Sequence, residues 1–257
     1  MKIAVAVKIA ASLDDGATVR DGAVDPADLE WDVNEWDLYA VETALQLKEA
    51  AGEGEVVLVS VGGEQVSEGL LSCLAMGADR AIQVEVGDEA GALDSVAVAR
   101  MLAAVIGPES PDIVLSGVQS SDFASAATGT ALAAVLGLAR VAVVRAVRLD
   151  DDALEVDREL EGGLVQRLRV DLPVALTVQT GIAEPRYATL RSIRQAARKR
   201  RDTIAPEQLG FGEPASLAAA RIGPMAEPPV RASAEMLQGS ASDVADAIAS
   251  IVRARVS

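Results

Sequence analysis

The chain has 257 residues, half of them hydrophobic, and a formal net charge of −16. This length can bury one large α/β core, whereas the acidity argues against nucleic acid as a main partner, because phosphate binding needs a basic surface. There is no histidine and one cysteine, Cys73, so an internal disulfide is excluded and the commonest general base and metal ligand are missing. No catalytic residue and no metal site are therefore predicted.

The N-terminus and the apolar runs bear on the cellular location. Every uninterrupted apolar run is far shorter than the roughly 18 residues of a membrane span. Residues 1–8 carry a charge on each side of a short apolar run and no cleavage-type region, which is typical of a first strand and not of a signal peptide. We therefore expect a cytoplasmic protein without membrane insertion. Cys73 is expected to be a small buried hydrophobe on a helix face.

Short apolar runs alternate with helical patterns along the first 144 residues. This alternation predicts a doubly wound α/β fold with a mostly parallel sheet, whose strands are buried on both faces. Asn34 can cap the first helix, and Gly52 can end it. The predicted strands are 2–7, 55–61, 80–84, 113–116 and 139–144, and the predicted helices are 35–51, 64–76, 94–106 and 124–136.

A candidate phosphate loop follows the strand 113–116. It reads G-V-Q-S-S-D from Gly117 to Asp122 and leads into small residues that include Thr128. Glycine, hydroxyls and the free N–H groups of a helix start can hold a phosphate. A simple helix cap made by a serine or by Asp122 is the alternative. Neither a G-x-G-x-x-G nor a Walker motif is present, so a conventional dinucleotide or triphosphate site is not predicted.

An antiparallel extension is predicted at residues 149–178. Apolar and polar residues alternate around the pair Gly162-Gly163, which is the period-2 pattern of a hairpin. The apolar strand 174–178 closes this region. The fold class is thus a doubly wound sheet with a hairpin extension.

A protruding loop is predicted at residues 180–201. Pro185 cannot donate a hydrogen bond to a sheet, so the chain leaves the sheet there and exposes Tyr187 and Leu190. The segment 191–201 then holds six basic residues. An acidic hairpin followed by an apolar tip and a basic segment has the character of a protein-docking surface.

The tail, residues 211–257, is rich in Ala, Pro and Ser and predicts an arm appended to a domain of residues 1–210. It ends in a helical pattern with one apolar stripe, which needs a surface to cover it. The stripe consists of Val244, Ile248, Ile251 and Val252.

These segments resemble the beta subunit of electron transfer flavoproteins. The family's hairpin signature, V-x-R-E-x-(D/E)-G-G with a following L-P-x-x-x-T strand, corresponds to residues 156–163 and 172–177. Its recognition loop, N-E-P-R-Y-A-x-L, corresponds to 183–190, with Ala183 in place of the usual Asn. The likeness spans residues 2 to about 210. It implies an electron carrier without catalytic residues of its own that pairs with an FAD-bearing alpha subunit, accepts electrons from a flavin-dependent primary dehydrogenase and passes them to a quinone oxidoreductase.

The resemblance also implies specific contacts. In this family the loop G-x-Q-x-x-D binds AMP, and the sequence N-E-W-D at residues 34–37 resembles the branch that serves trimethylamine- or dimethylglycine-type dehydrogenases. The arm 211–257 is implied to pack on the alpha subunit. The implied AMP contacts are Ala6, Asn34, Asp37, Val61, Gly117, Gln119, Ser120, Ser121, Asp122, Ala127 and Thr128. The implied partner contacts are Glu159, Pro185, Arg186, Tyr187 and Leu190.

Two other functions remain open at this point. An adenine-nucleotide-binding regulatory module would share the doubly wound sheet, but it leaves residues 156–201 unexplained and predicts a homodimer without flavin. A bifurcating relative would hold a second FAD in place of AMP. Such relatives usually read D-G-D after the glutamine loop, whereas this chain has Asp122-Phe123-Ala124, which favours AMP.

Overall fold

The computed structural model describes residues 1–13, 18–87, 93–220, 223–226, 229 and 234–256. The helices are α1 (Glu35–Ala51), α2 (Val66–Met76), α3 (Ser95–Glu109), α4 (Thr128–Leu136), α5 (Leu190–Ala196) and α6 (Ala241–Val256). The strands are β1 (Lys2–Ala6), β2 (Ile9–Leu13), β3 (Val19–Arg20), β4 (Ala23–Val24), β5 (Leu29–Val33), β6 (Glu55–Gly62), β7 (Arg80–Glu85), β8 (Ile113–Gly117), β9 (Ala139–Asp150), β10 (Ala153–Glu159), β11 (Val165–Asp171), β12 (Val174–Val178) and β13 (Arg201–Ile204).

Nine strands form one sheet in the order β11-β10-β9-β12-β8-β1-β6-β7-β13. The strands from β12 to β13 in this order are parallel, and β9 runs parallel to β12 but antiparallel to β10. From β1 the chain moves outward to β6 and β7 and then returns to β8 on the other side. The strand order therefore reverses between β1 and β8. This confirms the predicted doubly wound, mostly parallel sheet with an antiparallel hairpin.

Apolar residues on both faces of the central strands explain why the sheet is covered twice. Ile3 and Val5 belong to a core cluster that is completed by α1 and α2. Ala4 belongs to the cluster on the other face, which α3 and α4 complete. Cys73 lies inside the first cluster, and burial raises the pKa of its thiol to about 12. This confirms its prediction as a buried helix residue.

The predicted helix 124–136 is wrong at its start, because α4 begins at Thr128. Ala124 and Ala126 have φ angles of 49° and 51°. A left-handed backbone cannot continue a right-handed helix. The small residues before Thr128 therefore belong to the loop and not to the helix.

The basic segment 191–201 is only partly helical. Helix α5 ends at Ala196, and β13 then adds a further parallel strand beside β7. The sequence reasoning did not predict β13, because four residues at the end of a basic run give no clear period-2 pattern. The antiparallel ribbon of β2 and β5 was also not predicted.

The tail ends in α6, whose apolar residues Ile248, Ile251 and Val252 are each about half exposed. The predicted terminal helix with an apolar stripe is thus confirmed. The rest of the described chain does not cover these three side chains. Phe211 and Leu217 pack against the α3/α4 side of the core, and the division at residue 210 stays a prediction. Residues 221–222, 227–228, 230–233 and 257 of the predicted arm lie outside the described residues. Among the described helices, none combines the length and hydropathy needed to cross a membrane.

Candidate nucleotide site and docking surface

The carboxyl ends of β1, β6 and β8 form the edge of the sheet at which its strand order reverses. Ligands of doubly wound sheets bind outside the carboxyl ends of the strands at this point. Ala6 ends β1, Gly117 ends β8, and Val61 is the penultimate residue of β6. The structure thus brings these three predicted site residues to one edge.

Asp37, in the first turn of α1, joins two of these strand ends. Its Oδ2 accepts a hydrogen bond from the backbone N–H of Lys8 at 2.8 Å, and its Oδ1 accepts one from the N–H of Gly117 at 2.7 Å. Burial raises the pKa of this carboxyl group to about 6, although both hydrogen bonds lower it. Asp37 therefore fixes β1 against β8, and its contact with adenine stays a prediction.

Asn34 holds the candidate phosphate loop. It is the N-cap residue of α1, as predicted, but its side chain makes no capping bond within the described residues. Instead its Nδ2 donates to the carbonyl of Gln119 at 2.9 Å, and its Oδ1 accepts from the N–H of Ser121 at 3.2 Å. The loop is thereby attached to the helix start that follows β5. Gln119 and Ser121 keep their predicted places beside the strand ends.

Lys8 is a site residue that the sequence reasoning missed. Its Nζ lies 2.6 Å from Oδ1 of Asp122 and 3.3 Å from Oγ of Ser120, and 4.7 Å from the ring centre of Phe123. Burial raises the pKa of Asp122, but the hydrogen bonds from Lys8 and Ser120 outweigh this and leave the pKa lowered. The available signal was a lysine directly after the first predicted buried strand, 2–7. The ion pair of Lys8 with Asp122 therefore attaches the loop to the segment that follows β1.

The start of α4 excludes the simple capping alternative. Its N-cap is Ala127, and no described side chain caps it. The serines and Asp122 therefore do not close this helix, and the N–H groups of its first turn are free of intrahelical acceptors. Thr128, the first helical residue, brings a hydroxyl group to the same place. These are the features that favour an anion at a helix start.

Two glycines are required at this edge by close approach. A Cβ atom on Gly117 would clash with the side chain of Trp36, and one on Gly129 would clash with the hydroxyl of Ser116. Gly117 therefore allows α1 to approach the end of β8. Gly129 allows α4 to lie directly over β8 and β12.

The hairpin of β10 and β11 carries an exposed tip. Glu159 is exposed at the end of β10, opposite Val165. Leu164, at 65% exposure, extends the apolar tip. The buried Nε of Arg158 has no hydrogen-bond partner among the described residues. Among these residues, no group of three or more His, Cys, Asp or Glu side chains could hold a metal ion.

The loop after β12 exposes two large apolar side chains, as predicted. Tyr187 is 94% exposed, and Leu190, which is the first residue of α5, is 79% exposed. Thr189 and Ser192 form a capping box that starts this helix. Leu190 shares one shallow pocket with three arginines and a glutamine. These pocket residues are Arg191, Arg194, Gln195 and Arg198.

Two other basic residues of the segment 191–201, and Arg186 before it, bond to acceptors within the chain. Lys199 donates to the carbonyls of Leu74 and Ala78 at 2.9 and 2.6 Å, at the end of α2. Arg200 pairs with Asp202 at 2.9 Å. Arg186 lies against α1, where it pairs with acidic residues, so most of its hydrogen bonds face inward. Among the described residues, the three arginines beside Leu190 form no ion pair, so their positive charge is available at this surface.

Comparisons with known proteins identify one family. The family model described as "Electron transfer flavoprotein domain" matches residues 21–209, which include every predicted site residue except Ala6. The chain is 40% identical to the electron transfer flavoprotein subunit beta of Methylophilus methylotrophus, with 98% of each chain covered. It is 40% identical to the human protein of the same name over 80% of this chain and 78% of that protein. The protein of this name from Bacillus subtilis is 27% identical over 98% of both.

Proposed function

The chain belongs to the electron transfer flavoprotein family as a beta subunit, and on this premise we propose a function for each of its parts. It binds AMP as a structural ligand, scaffolds an FAD-bearing alpha subunit and docks a flavin-dependent primary dehydrogenase. Electrons then pass to a quinone oxidoreductase. The chain acts as an electron carrier subunit in the cytoplasm, and its resemblance to the branch that serves trimethylamine- or dimethylglycine-type dehydrogenases favours a donor of that kind.

The single observation that carries the nucleotide assignment is the uncapped start of α4 beside a loop that Asn34 holds at the reversal of strand order. Free N–H groups and the positive end of the helix dipole favour a phosphate there. Ser120, Ser121 and Thr128 supply hydroxyl groups, and the Nζ of Lys8, which is paired with Asp122, lies 3.3 Å from Oγ of Ser120. These residues fit a phosphate group, and the choice of AMP as the nucleotide follows from the family.

This chain's own contribution to electron transfer is positioning. FAD supplies the redox chemistry when it is bound by the alpha subunit. The exposed hairpin tip around Glu159 and the half-exposed stripe of α6 offer surfaces to that subunit. An uncovered apolar stripe on a helix needs a partner surface, which supports the scaffold role of the arm.

The docking role rests on Tyr187 and Leu190. Tyr187 lies in the loop between β12 and α5 and Leu190 begins α5, and large side chains this exposed have the form of interface anchors that fill pockets on a partner. The arginines that surround Leu190 add positive charge, which favours a partner with an acidic rim and faster association. The regulatory-module alternative would leave this surface without a role.

Co-expression with a candidate alpha subunit tests the proposal. We expect a 1:1 complex that contains one flavin, measured by size-exclusion chromatography with light scattering and by absorbance. The chain expressed alone should be poorly soluble or unstable, because the stripe of α6 and the partner face are then uncovered. A well-behaved yellow homodimer from this chain alone would contradict the assignment.

A further inference from the structure

We propose that Glu42 on α1 is a positioning residue for dehydrogenase docking: it holds Arg186 and thereby fixes the orientation in which Tyr187 and Leu190 meet the partner. This inference rests on the proposed docking function of the loop. It also gives Arg186 a role that differs from the partner contact predicted from the sequence.

The contacts between Glu42 and Arg186 involve both the backbone and the side chain of the arginine. Oε2 of Glu42 accepts hydrogen bonds from the backbone N–H of Arg186 at 3.2 Å and from its Nε at 2.8 Å. Oε1 accepts from Nη2 of Arg186 at 2.9 Å and from Nε2 of Gln46 at 3.0 Å. One carboxylate therefore fixes both the path of the chain at residue 186 and the direction of its side chain.

Glu42 is suited to this role because it is nearly inaccessible to solvent. Its side chain is 4% exposed, whereas that of Glu49, which accepts from Nη1 of Arg186 at 2.8 Å, is 60% exposed. Burial raises the pKa of Glu42, but the hydrogen bonds from Arg186 and Gln46 outweigh it and leave the pKa lowered. A buried carboxylate with a bidentate arginine is a strong, directional pair. Loss of one partner leaves an uncompensated buried charge.

The pair lies between two other attachments of the loop. At its start, the N–H of Gln179 donates to the carbonyl of Val144 at 2.8 Å, and Oε1 of Gln179 accepts from Nε1 of Trp36 at 2.9 Å. At its end, Thr189 caps α5. The contact of Arg186 with α1 fixes the middle of this span, directly before Tyr187.

A loop that is already held in its binding conformation loses less entropy on docking, which increases affinity without adding a contact to the partner. Glu42, which does not reach the partner, would thus control how well Tyr187 and Leu190 bind. The effect should fall on the concentration dependence of electron transfer and not on its rate at saturation.

The test uses the assembled complex with Glu42→Gln, a variant that keeps the size of the side chain but removes its charge. We expect hydrogen exchange of the backbone N–H of Arg186 to become at least about tenfold faster, because it loses a charged acceptor. The KM for the complex in the dehydrogenase reaction should rise about tenfold, or about 1.4 kcal/mol, with kcat unchanged. Flavin and nucleotide content should not change.

Glu49→Gln makes the same chemical change on the same helix and serves as the graded comparison. Because Glu49 is well exposed, we expect its effect on KM to stay below about threefold. Arg186→Gln tests the pair from the loop side and remains informative if Glu42→Gln folds poorly. The double variant should be no worse than Glu42→Gln alone, because both substitutions remove one interaction.

The proposal is overturned if Glu42→Gln leaves both hydrogen exchange and KM unaltered, or if Glu49→Gln raises KM equally. It is also overturned if the effects of Glu42→Gln and Arg186→Gln on KM are additive in the double variant. A different result separates this inference from the proposed function. Faster exchange in Glu42→Gln, with KM unchanged both there and in Leu190→Ala, would show that the pair holds the loop but that the loop does not dock the dehydrogenase.

Discussion

Truncation of Leu190 to alanine should weaken binding between the complex and the dehydrogenase. The expected loss of binding free energy follows from the exposed fraction of the Leu190 side chain. Full burial of a leucine side chain contributes about 1.5–3 kcal/mol. Leu190 is 79% exposed in the structure, so most of this free energy remains to be gained on docking. A loss of about 2 kcal/mol corresponds to roughly thirtyfold weaker binding. AMP, FAD and subunit assembly should be unaffected, because Leu190 contributes little to the core.

The assay is anaerobic stopped-flow reduction of the flavin by the dehydrogenase at a series of complex concentrations. Leu190→Ala should raise the half-saturating concentration roughly thirtyfold, so that most reduction is lost at low concentration. Val135→Ala is the control, since it truncates a half-exposed apolar residue on α4 and not on the loop. Unchanged kinetics in Leu190→Ala, or an equal loss in Val135→Ala, would refute the anchoring role.

Three further predictions follow from the site. Replacement of Ser121 and Thr128 together by bulky residues should lower the yield of complex, because bound nucleotide stabilises only the assembled state; a normal yield with normal AMP content would contradict this. Glu159→Ala should change the rate of electron transfer and leave flavin content intact, because a charge across an interface biases domain position more than net affinity; flavin loss in the extracted complex would show a structural role instead. Burial raises the pKa of Asp37 from 3.8 to about 6, so the folded state favours the protonated carboxyl group. The stabilisation from Asp37 is therefore full below pH 4 and is lost as the pH rises through 6. This pKa shift corresponds to about 3 kcal/mol of unfolding free energy. In urea unfolding of the complex, the wild type should therefore lose more stability between pH 4 and 7 than Asp37→Asn, whereas parallel profiles would contradict this.

The sheet and its two helix layers were predictable because their signals are local. Apolar runs such as 113–116 predict a strand, and glycines such as Gly52 predict a helix end, from only a few neighbouring residues. Gly52 adopts the expected left-handed conformation. The exposure of Tyr187 and Leu190 was predictable because Pro185 cannot donate to a sheet ladder, and the chain has already left the sheet where β12 ends at Val178.

The roles of Lys8, Asn34 and Arg186 were not predictable, because each depends on residues far away in the sequence. Arg186 and Glu42 are separated by 144 residues, and the sequence around them does not indicate whether Arg186 pairs within the chain or contacts a partner. The late start of α4 had no local signal either, since Ala124 adopts a left-handed conformation that alanine rarely occupies.

Acid extraction of the purified complex, followed by chromatographic identification of the released nucleotides, tests most directly that this chain is the AMP-holding half of an electron transfer flavoprotein. The account predicts one AMP, held at the uncapped start of α4 beside the loop attached to Asn34, and one FAD, held by the alpha subunit. Two FAD and no AMP would contradict this account and would favour a bifurcating flavoprotein.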